Sequence, residues 1–303
     1  MEATKNSGPS WRPNSLNDFL FYKVMGEKGS EKQLAGFLNA VLGNTGRKPI
    51  ESLEIRDDRT IVRDLCGGKS CVLDVLAVLS DGTAVNIEVQ IRNEHNMGRR
   101  SLFYWGRLYN RGLKKGQNYR NAPGVIAVNI IDFDFPPGGD IHTCFQLRES
   151  TNPSILLTSA LEIHFVSMVK WRNEVKKDIR NNNLHRWLVW LDPKSPPELA
   201  EEAKNMDTAI MAASEKQAFV MRNRKIMDIY ERRQKAQWDY ASAMSGARQE
   251  GMEKGREEGM ERGKNVRNSE IARNALAEGA TVEFVRKITG LDMDTVAGLM
   301  QGK

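Results

Sequence analysis

The sequence predicts an α/β protein: a mixed β-sheet flanked by helices, followed by a helical C-terminal extension. Three observations carry this reading. Residues 71–90, CVLDVLAVLSDGTAVNIEVQ, hold two apolar segments around a Ser-Asp-Gly-Thr turn, the pattern of an antiparallel hairpin. Residues 125–135, VIAVNIIDFDF, form a nearly unbroken apolar run ended by Pro136-Pro137-Gly138-Gly139, as expected of a strand covered on both faces. Between them, Arg100, Tyr104, Arg107 and Arg111 recur at helical spacing. That helix is long enough to cross over and set the 125–135 strand parallel to the second hairpin strand.

Composition bounds the rest. A chain of 303 residues, 40 % of them hydrophobic, can bury one sizeable core and still carry an extension. Lysine and arginine exceed the acids by 45 to 39, a net charge of +6, which favours anionic partners and nucleic acid above all. The three cysteines, Cys66, Cys71 and Cys144, leave no second pair for a zinc cluster and read as reduced thiols of a cytoplasmic protein. No apolar window is long enough to span a bilayer and the N-terminus lacks an apolar signal core, so no membrane partner is expected.

In chain order, residues 1–14 are polar, contain Pro9 and Pro13, and are expected to form a disordered arm. The core is assigned to residues 15–195. A helical pattern begins near Asn17, with Asp18 as a helix-start acid, and a second amphipathic run opens at Ser30-Glu31 and closes at Gly43-Asn44. Residues 51–62 give the first strand. The helix after the hairpin is expected from about Met97, with Leu102, Trp105 and Leu108-Tyr109 turned away from the Arg/Tyr face and free to pack on the sheet. Residues 141–148 and 161–169 supply two more strands, in which His142 and His164 stand alone and read as packing or hydrogen-bonding residues. A helix over 181–192 finishes near Pro193.

Beyond Pro196-Pro197 the composition shifts to charged helix formers, and residues 196–265 are assigned to an extension. In it Gly251, Gly255, Gly259 and Gly263 recur at every fourth position. On a helix they form one stripe suited to close backbone approach, and self-association through this segment is expected; a flexible linker is the equal alternative. Residues 266–303 form a small helical tail with a helix-turn-helix-like order but few apolar residues for a core of its own.

The chemistry concentrates on the hairpin. Val85, Ile87, Val89 and Ile91 take one face of its second strand, and Asn86, Glu88 and Gln90 the other. Asp74 is the only charge in an otherwise apolar first strand, and a buried carboxylate needs a partner or a metal. A three-residue connection, Asp81-Gly82-Thr83, pairs Asp74 with Gln90 and Leu76 with Glu88, so that all three polar side chains project from one face. Two carboxylates that close raise one another's pKa unless a cation lies between them, and Mg²⁺ suits one or two carboxylates with water and phosphate completing its shell.

Asp74 followed across a hairpin by Glu88-Val89-Gln90 resembles the metal site of the PD-(D/E)XK nuclease superfamily. More narrowly it resembles the Rpn-type recombination-promoting nucleases and transposase-like proteins, in which E-x-Q commonly replaces E-x-K. The resemblance extends to Leu16-Asn17-Asp18-Phe19 through Lys23, to Phe37–Leu42, to Arg99-Arg100-Ser101-Leu102-Phe103-Tyr104-Trp105 and to Gly116-Gln117-Asn118-Tyr119. It implies a restriction-endonuclease-like core and a Mg²⁺-dependent DNA endonuclease (Mn²⁺ being the possible substitute) tied to recombination or mobile elements. Under it, Asp74 and Glu88 hold the metal, with the Val89 carbonyl, Asp18 and Glu31 as further ligand candidates. Gln90 orients the attacking water and Lys23 supplies the cation that lysine gives in E-x-K. Arg100 and Tyr104, with Arg107 and Arg111, face the phosphodiester. For Asp18 the bland alternative is a helix cap, for Glu31 a solvated acid, and for the arginines a solvated helix face. No third acid is found for a DDE-type transposase, so hydrolysis is the expected chemistry. The rival function is a catalytically weak DNA-binding or partner-regulated protein of a mobile element, since Gln90 carries no charge.

Overall fold

The computed structural model describes residues 12–57, 60–61, 71–72, 74–113 and 115–301. Its strands are β1 (Leu53–Arg56), β2 (Thr60–Ile61), β3 (Cys71–Val72), β4 (Val75–Leu79), β5 (Ala84–Gln90), β6 (Val125–Ile131), β7 (His142–Phe145) and β8 (Leu161–Ser167). Its α-helices are α1 (Asp18–Phe21), α2 (Glu31–Leu42), α3 (Met97–Gly112), α4 (Met168–Asn173), α5 (Asn183–Leu191), α6 (Pro197–Met206), α7 (Thr208–Met221), α8 (Arg224–Ala277), α9 (Val282–Thr289) and α10 (Met293–Gln301). Six strands form one mixed sheet in the order β1-β4-β5-β6-β8-β7, and β2 and β3 pair separately. β5, β6 and β8 run parallel to one another, while β1, β4 and β7 are antiparallel to their neighbours. The parallel pairing of β5 with β6 through the α3 crossover is the one the apolar run at 125–135 predicts.

The sheet is covered on both faces, and side-chain alternation separates the two layers. Val75, Ala77, Val85, Ile87, Val89, Ile126, Val128 and Ile130 join the main core with α1, α2, α5, α6 and α7, around the fully buried Phe37 and Trp187. The other face meets α3, where Met97 packs with Ala127, Ile131, Ile163 and Phe165, and Leu108 with Leu76 and Val125. Leu102, expected on the sheet, is 52 % exposed: it follows Ser101, which takes the buried position one residue earlier.

Residues 196–234 do not begin an extension. The chain divides into two compact units, Met1–Gln234 and Lys235–Lys303. Ala200, Ala203, Ala209, Ile210, Ala213 and Val220 of α6 and α7 are buried in the main core. Close packing makes this possible, since a β-carbon placed on Gly36 of α2 would lie 2.4 Å from that of Ala209. The near end of the N-terminal arm is tied to the same unit: Arg12 donates to the Trp190 and Ser195 carbonyls, and Asn14 N–H to the Tyr230 hydroxyl. Residues 1–11, the rest of the expected arm, lie outside the described residues, as do Cys66 and most of the connection before β3.

In the second unit the glycine-periodic segment is part of continuous helix α8, so of the two readings of that stretch the helix is the one found. Ala272, Val285 and Val296 form a small core between the end of α8, α9 and α10. Gly279 and Gly290 turn the chain there with φ of 84° and 71°, values open to glycine at little cost. Among the described residues no helix is long and apolar enough to cross a membrane.

Candidate active site

The β4–β5 hairpin sets the position of its carboxyl groups. Val75 pairs with Ile87, Leu76 with Asn86, Ala77 with Val85 and Val78 with Ala84. The connection is Ser80-Asp81-Gly82, closed by Leu79 N–H donating to the Thr83 carbonyl at 2.9 Å. It has the expected three residues but starts one residue earlier than expected. Asp81 Oδ1 accepts the Thr83 N–H at 2.8 Å, and Gly82, with φ of 85°, takes the left-handed place that ends such a turn. The odd count preserves the facing, because a one-residue slip would have exchanged the faces. Continued by one residue, this register sets Asp74 opposite Glu88 instead of Gln90, and Leu76 opposite Asn86 instead of Glu88.

Glu88 is 3 % exposed beneath α3. Burial, and then the charge of Asp74, push its carboxyl up to about 8. The opposing influences are weaker. Arg100 Nη2 stands 3.9 Å from Glu88 Oε2, and Asn86 Nδ2 lies 3.5 Å from Oε1. The Asp74 backbone N–H also donates to the Glu88 carboxyl, while Asp74 Oδ2 accepts the Val89 N–H at 2.8 Å. Each carboxyl is thus held by the other strand's backbone, and the Arg100 guanidinium stands at a distance from Glu88.

Two buried polar atoms on this face have no hydrogen-bond partner among the described residues: Asn86 Oδ1 and Arg100 Nε. An orphaned acceptor and an orphaned donor thus flank a carboxyl whose charged form burial disfavours, an arrangement that could receive a charged ligand. The donor set of two carboxylates and an amide oxygen is hard and suits a divalent cation such as Mg²⁺ or Mn²⁺, which would return Glu88 to its ionised form. Asn86 lies on the Glu88 face, as the strand's alternation predicts, but its residue type alone assigns it no role. Its signal is spacing alone, two residues before Glu88 on an alternating strand. Beneath it, Asn129 of β6, paired with Glu88, donates to the His164 carbonyl at 3.1 Å and meets the Ser101 hydroxyl at 3.1 Å. That network anchors α3 over the site.

The remaining candidates are distributed as follows. Gln90 is half-buried and its amide donates to the Arg92 carbonyl at 3.0 Å. Val89 has its N–H engaged by Asp74. Lys23, in the π-helical turn Tyr22–Gly26, forms an ion pair with Glu27. Lys216 is influenced by Glu27, Glu31 and Lys23 together, so these four make one charged group. Asp18 is not the cap of α1: Asn17 caps it, and Asp18 pairs with Arg233 at 2.6 Å. The helices bearing Asp18 and Glu31 pack on the sheet face opposite α3, so these acids do not share the Glu88 face.

On α3 the guanidinium of Arg100 lies over the Tyr104 ring at 5.3 Å and reaches Glu94 at 3.7 Å, and Arg107 lies over Phe103 at 5.1 Å. Arg111 is exposed in the last turn. Phe103, 44 % exposed, adds an apolar surface beside these cations. If this face contacts phosphates, Arg100→Ala weakens DNA binding and reduces the log–log salt slope by about one unit. Fluorescence anisotropy across a salt series measures it, and an unchanged slope returns the helix to a solvated face.

Residues 15–247 match the family model described as PD-(D/E)XK nuclease family transposase. No curated protein and no solved structure matched the chain.

Proposed function

The chain belongs to the PD-(D/E)XK nuclease family transposases, and on that footing we propose that it is a metal-dependent DNA endonuclease serving recombination or a mobile element. The pairing of half-buried Asp74 with buried Glu88 supports this reading, because burial and the neighbouring Asp74 charge disfavour the ionised form of Glu88, which added positive charge would favour. Asp74 and Glu88 would hold the divalent ion, with Asn86 Oδ1 as an additional oxygen donor and the Val89 carbonyl as another. When bound, Mg²⁺ or Mn²⁺ would supply Lewis acidity toward the scissile phosphate and a lowered pKa for the attacking water.

The chain's own side chains do the rest. Arg100, anchored between Glu88, Glu94 and Tyr104, offsets phosphate charge at the mouth of the site. Tyr104, Arg107 and Arg111 extend that contact along α3. Gln90 is neutral and orients water without changing its charge. Release of its amide from the Arg92 carbonyl is needed for that role. Lys23 is committed to Glu27, and Asp18 and Glu31 act from the opposite face, so their part is confined to shaping the charged surroundings. A cytoplasmic location accords with the basic chain and with the absence of a membrane-crossing helix among the described residues. Self-association through α8 accords with its open glycine stripe and with exposed Trp238, Met252 and Met260.

Plasmid nicking by the purified chain in Mg²⁺ and in Mn²⁺, with an RNA substrate in parallel, tests the reading. Tight DNA binding without cleavage in either ion would favour the catalytically weak binder, a reading the locally bonded Gln90 amide also supports. Gln90 gives a sharper version of the test. Gln90→Ala lowers cleavage by roughly 10²-fold with little change in metal affinity, the range for a positioning group. Gln90→Lys keeps or raises cleavage, because an ammonium near the nucleophile favours hydroxide. A Gln90→Lys protein that folds and binds metal but cleaves nothing would show that this water-activating role is absent.

A further inference from the structure

The other face of the sheet carries a second cluster of chemistry-bearing side chains. β8 turns Leu161, Ile163 and Phe165 toward α3 and sends Glu162, His164 and Val166 the other way. Edge strand β7 pairs with it antiparallel, so that Cys144 stands directly opposite His164 and His142 opposite Val166. Cys144 Sγ lies 3.8 Å from His164 Nε2, and Glu162 Oε2 lies 3.3 Å from the same nitrogen. The three potential ligand atoms are all within 4.8 Å of one another.

We propose that Cys144, His164 and Glu162 form a binding site for a zinc-like transition-metal ion that clamps edge strand β7 to β8, separate from the Asp74–Glu88 site. Spacing is the first argument. A tetrahedral zinc with ordinary bond lengths holds its sulfur and nitrogen ligands about 3.6 Å apart and its nitrogen and oxygen ligands about 3.3 Å apart. The two separations from His164, 3.8 Å to sulfur and 3.3 Å to oxygen, already match these values, and the Cys144–Glu162 separation, within 4.8 Å, closes by rotation of the exposed Cys144 side chain.

Ligand orientation is the second argument. His142 Nε2 is 3.0 Å from His164 Nδ1, with the two rings 7° from parallel. If His164 carries its proton on Nδ1 and gives it to His142, Nε2 is left with a lone pair facing Cys144 and Glu162, the arrangement a metal-bound histidine requires. Glu162 is fixed in turn by Arg47 Nε at 2.9 Å and Gln146 Nε2 at 3.3 Å. Access is the third. Cys144 is exposed, and with His142 it lines a cleft of about 460 Å³ that also touches Asp140, Glu174 and His185. Water from that cleft completes the fourth position. Arg47 opposes a dication by its charge, while a thiolate and a carboxylate together supply two negative charges. Binding therefore expels the Cys144 thiol proton, one proton per ion.

A thiolate and an imidazole select Zn²⁺ or Co²⁺ over the hard ions expected at Glu88. Co²⁺ added to the full-length protein should give a thiolate-to-cobalt charge-transfer band at one equivalent, displaced by Zn²⁺. Cys144→Ser, at an exposed position, should abolish the band. It should also weaken Zn²⁺ binding by more than the roughly 10–100-fold typical of losing an outer partner. Asp74→Ala, which removes no thiolate, should leave the band in place. Absence of the band in the folded protein would overturn the proposal. So would a band that survives Cys144→Ser and disappears in a Cys66→Ser/Cys71→Ser protein.

Discussion

Asp74→Ala and Glu88→Ala are each expected to lower Mg²⁺-dependent nicking by at least ~10³-fold, the scale for removing a group that holds charge at a phosphoryl centre. Glu88→Gln separates chemistry from folding. The amide matches the carboxyl in shape and needs no ionisation, so the variant should fold at least as well as the parent, since Glu88 is 3 % exposed and burial disfavours its charge. It should nevertheless cleave no better than Glu88→Ala, because an amide oxygen supplies no charge. Gel-based nicking with matched circular dichroism checks both parts. Equal cleavage by parent and Asp74→Ala would assign the activity to something other than this pair.

A pH-dependent stability with a definite sign is the second large effect. The Glu88 carboxyl lies at about 8 in the folded chain against an ordinary 4.5, raised first by burial and then by Asp74. The folded state therefore holds this proton more tightly than the unfolded state. The stability that follows is complete below the ordinary value and is lost as pH rises through the folded one. Two other strongly shifted groups, His142 and Cys144, act mainly outside a window from about pH 7 to 8.5. Burial and then His164 hold His142 down at about 4, so its effect falls on the acid side, below its ordinary 6.5. Burial and then Glu162 push Cys144 up to about 11, so its effect falls above its ordinary 9.0.

Within that window the metal-free protein should lose about 1–2 kcal/mol, or roughly 2–6 °C in melting temperature. Glu88→Gln should flatten this slope. Saturating Mg²⁺ should stabilise the parent more at the alkaline end, because binding then displaces no proton. Differential scanning fluorimetry across the window measures all three. A slope identical in parent and Glu88→Gln would remove Glu88 as its source.

Much of this arrangement is legible in the residues. Alternation along Val85–Gln90 separates the polar face from the core face, and the apolar run at 125–135 announces a strand paired on both edges, as β6 is. Periodicity from Met97 gives α3 its start. The exact turn is less accessible: Ser80-Asp81-Gly82 puts glycine in the left-handed place that ends a three-residue turn, whereas Asp81-Gly82-Thr83 puts it in the middle. The Asp81–Thr83 hydrogen bond selects between them.

Tertiary packing hid the rest. Alanines of α6 and α7 read as neutral helix formers, and only their burial in the folded core, with Ala209 against Gly36, shows where they belong. Asn86 reads in the sequence as an ordinary polar residue, and only the fold buries its carbonyl oxygen without a partner among the described residues. Cys144 and His164 are 20 residues apart in sequence, and only the β7–β8 register brings them face to face.

Asp74 and Glu88 are proposed to share a divalent cation. Crystals of the protein grown in Mn²⁺ and measured at the manganese absorption edge address this directly. An anomalous peak bounded by the Asp74 and Glu88 carboxylates, and lost in Glu88→Gln, is the expected result. Full Mn²⁺ saturation with no peak between those two side chains would contradict it.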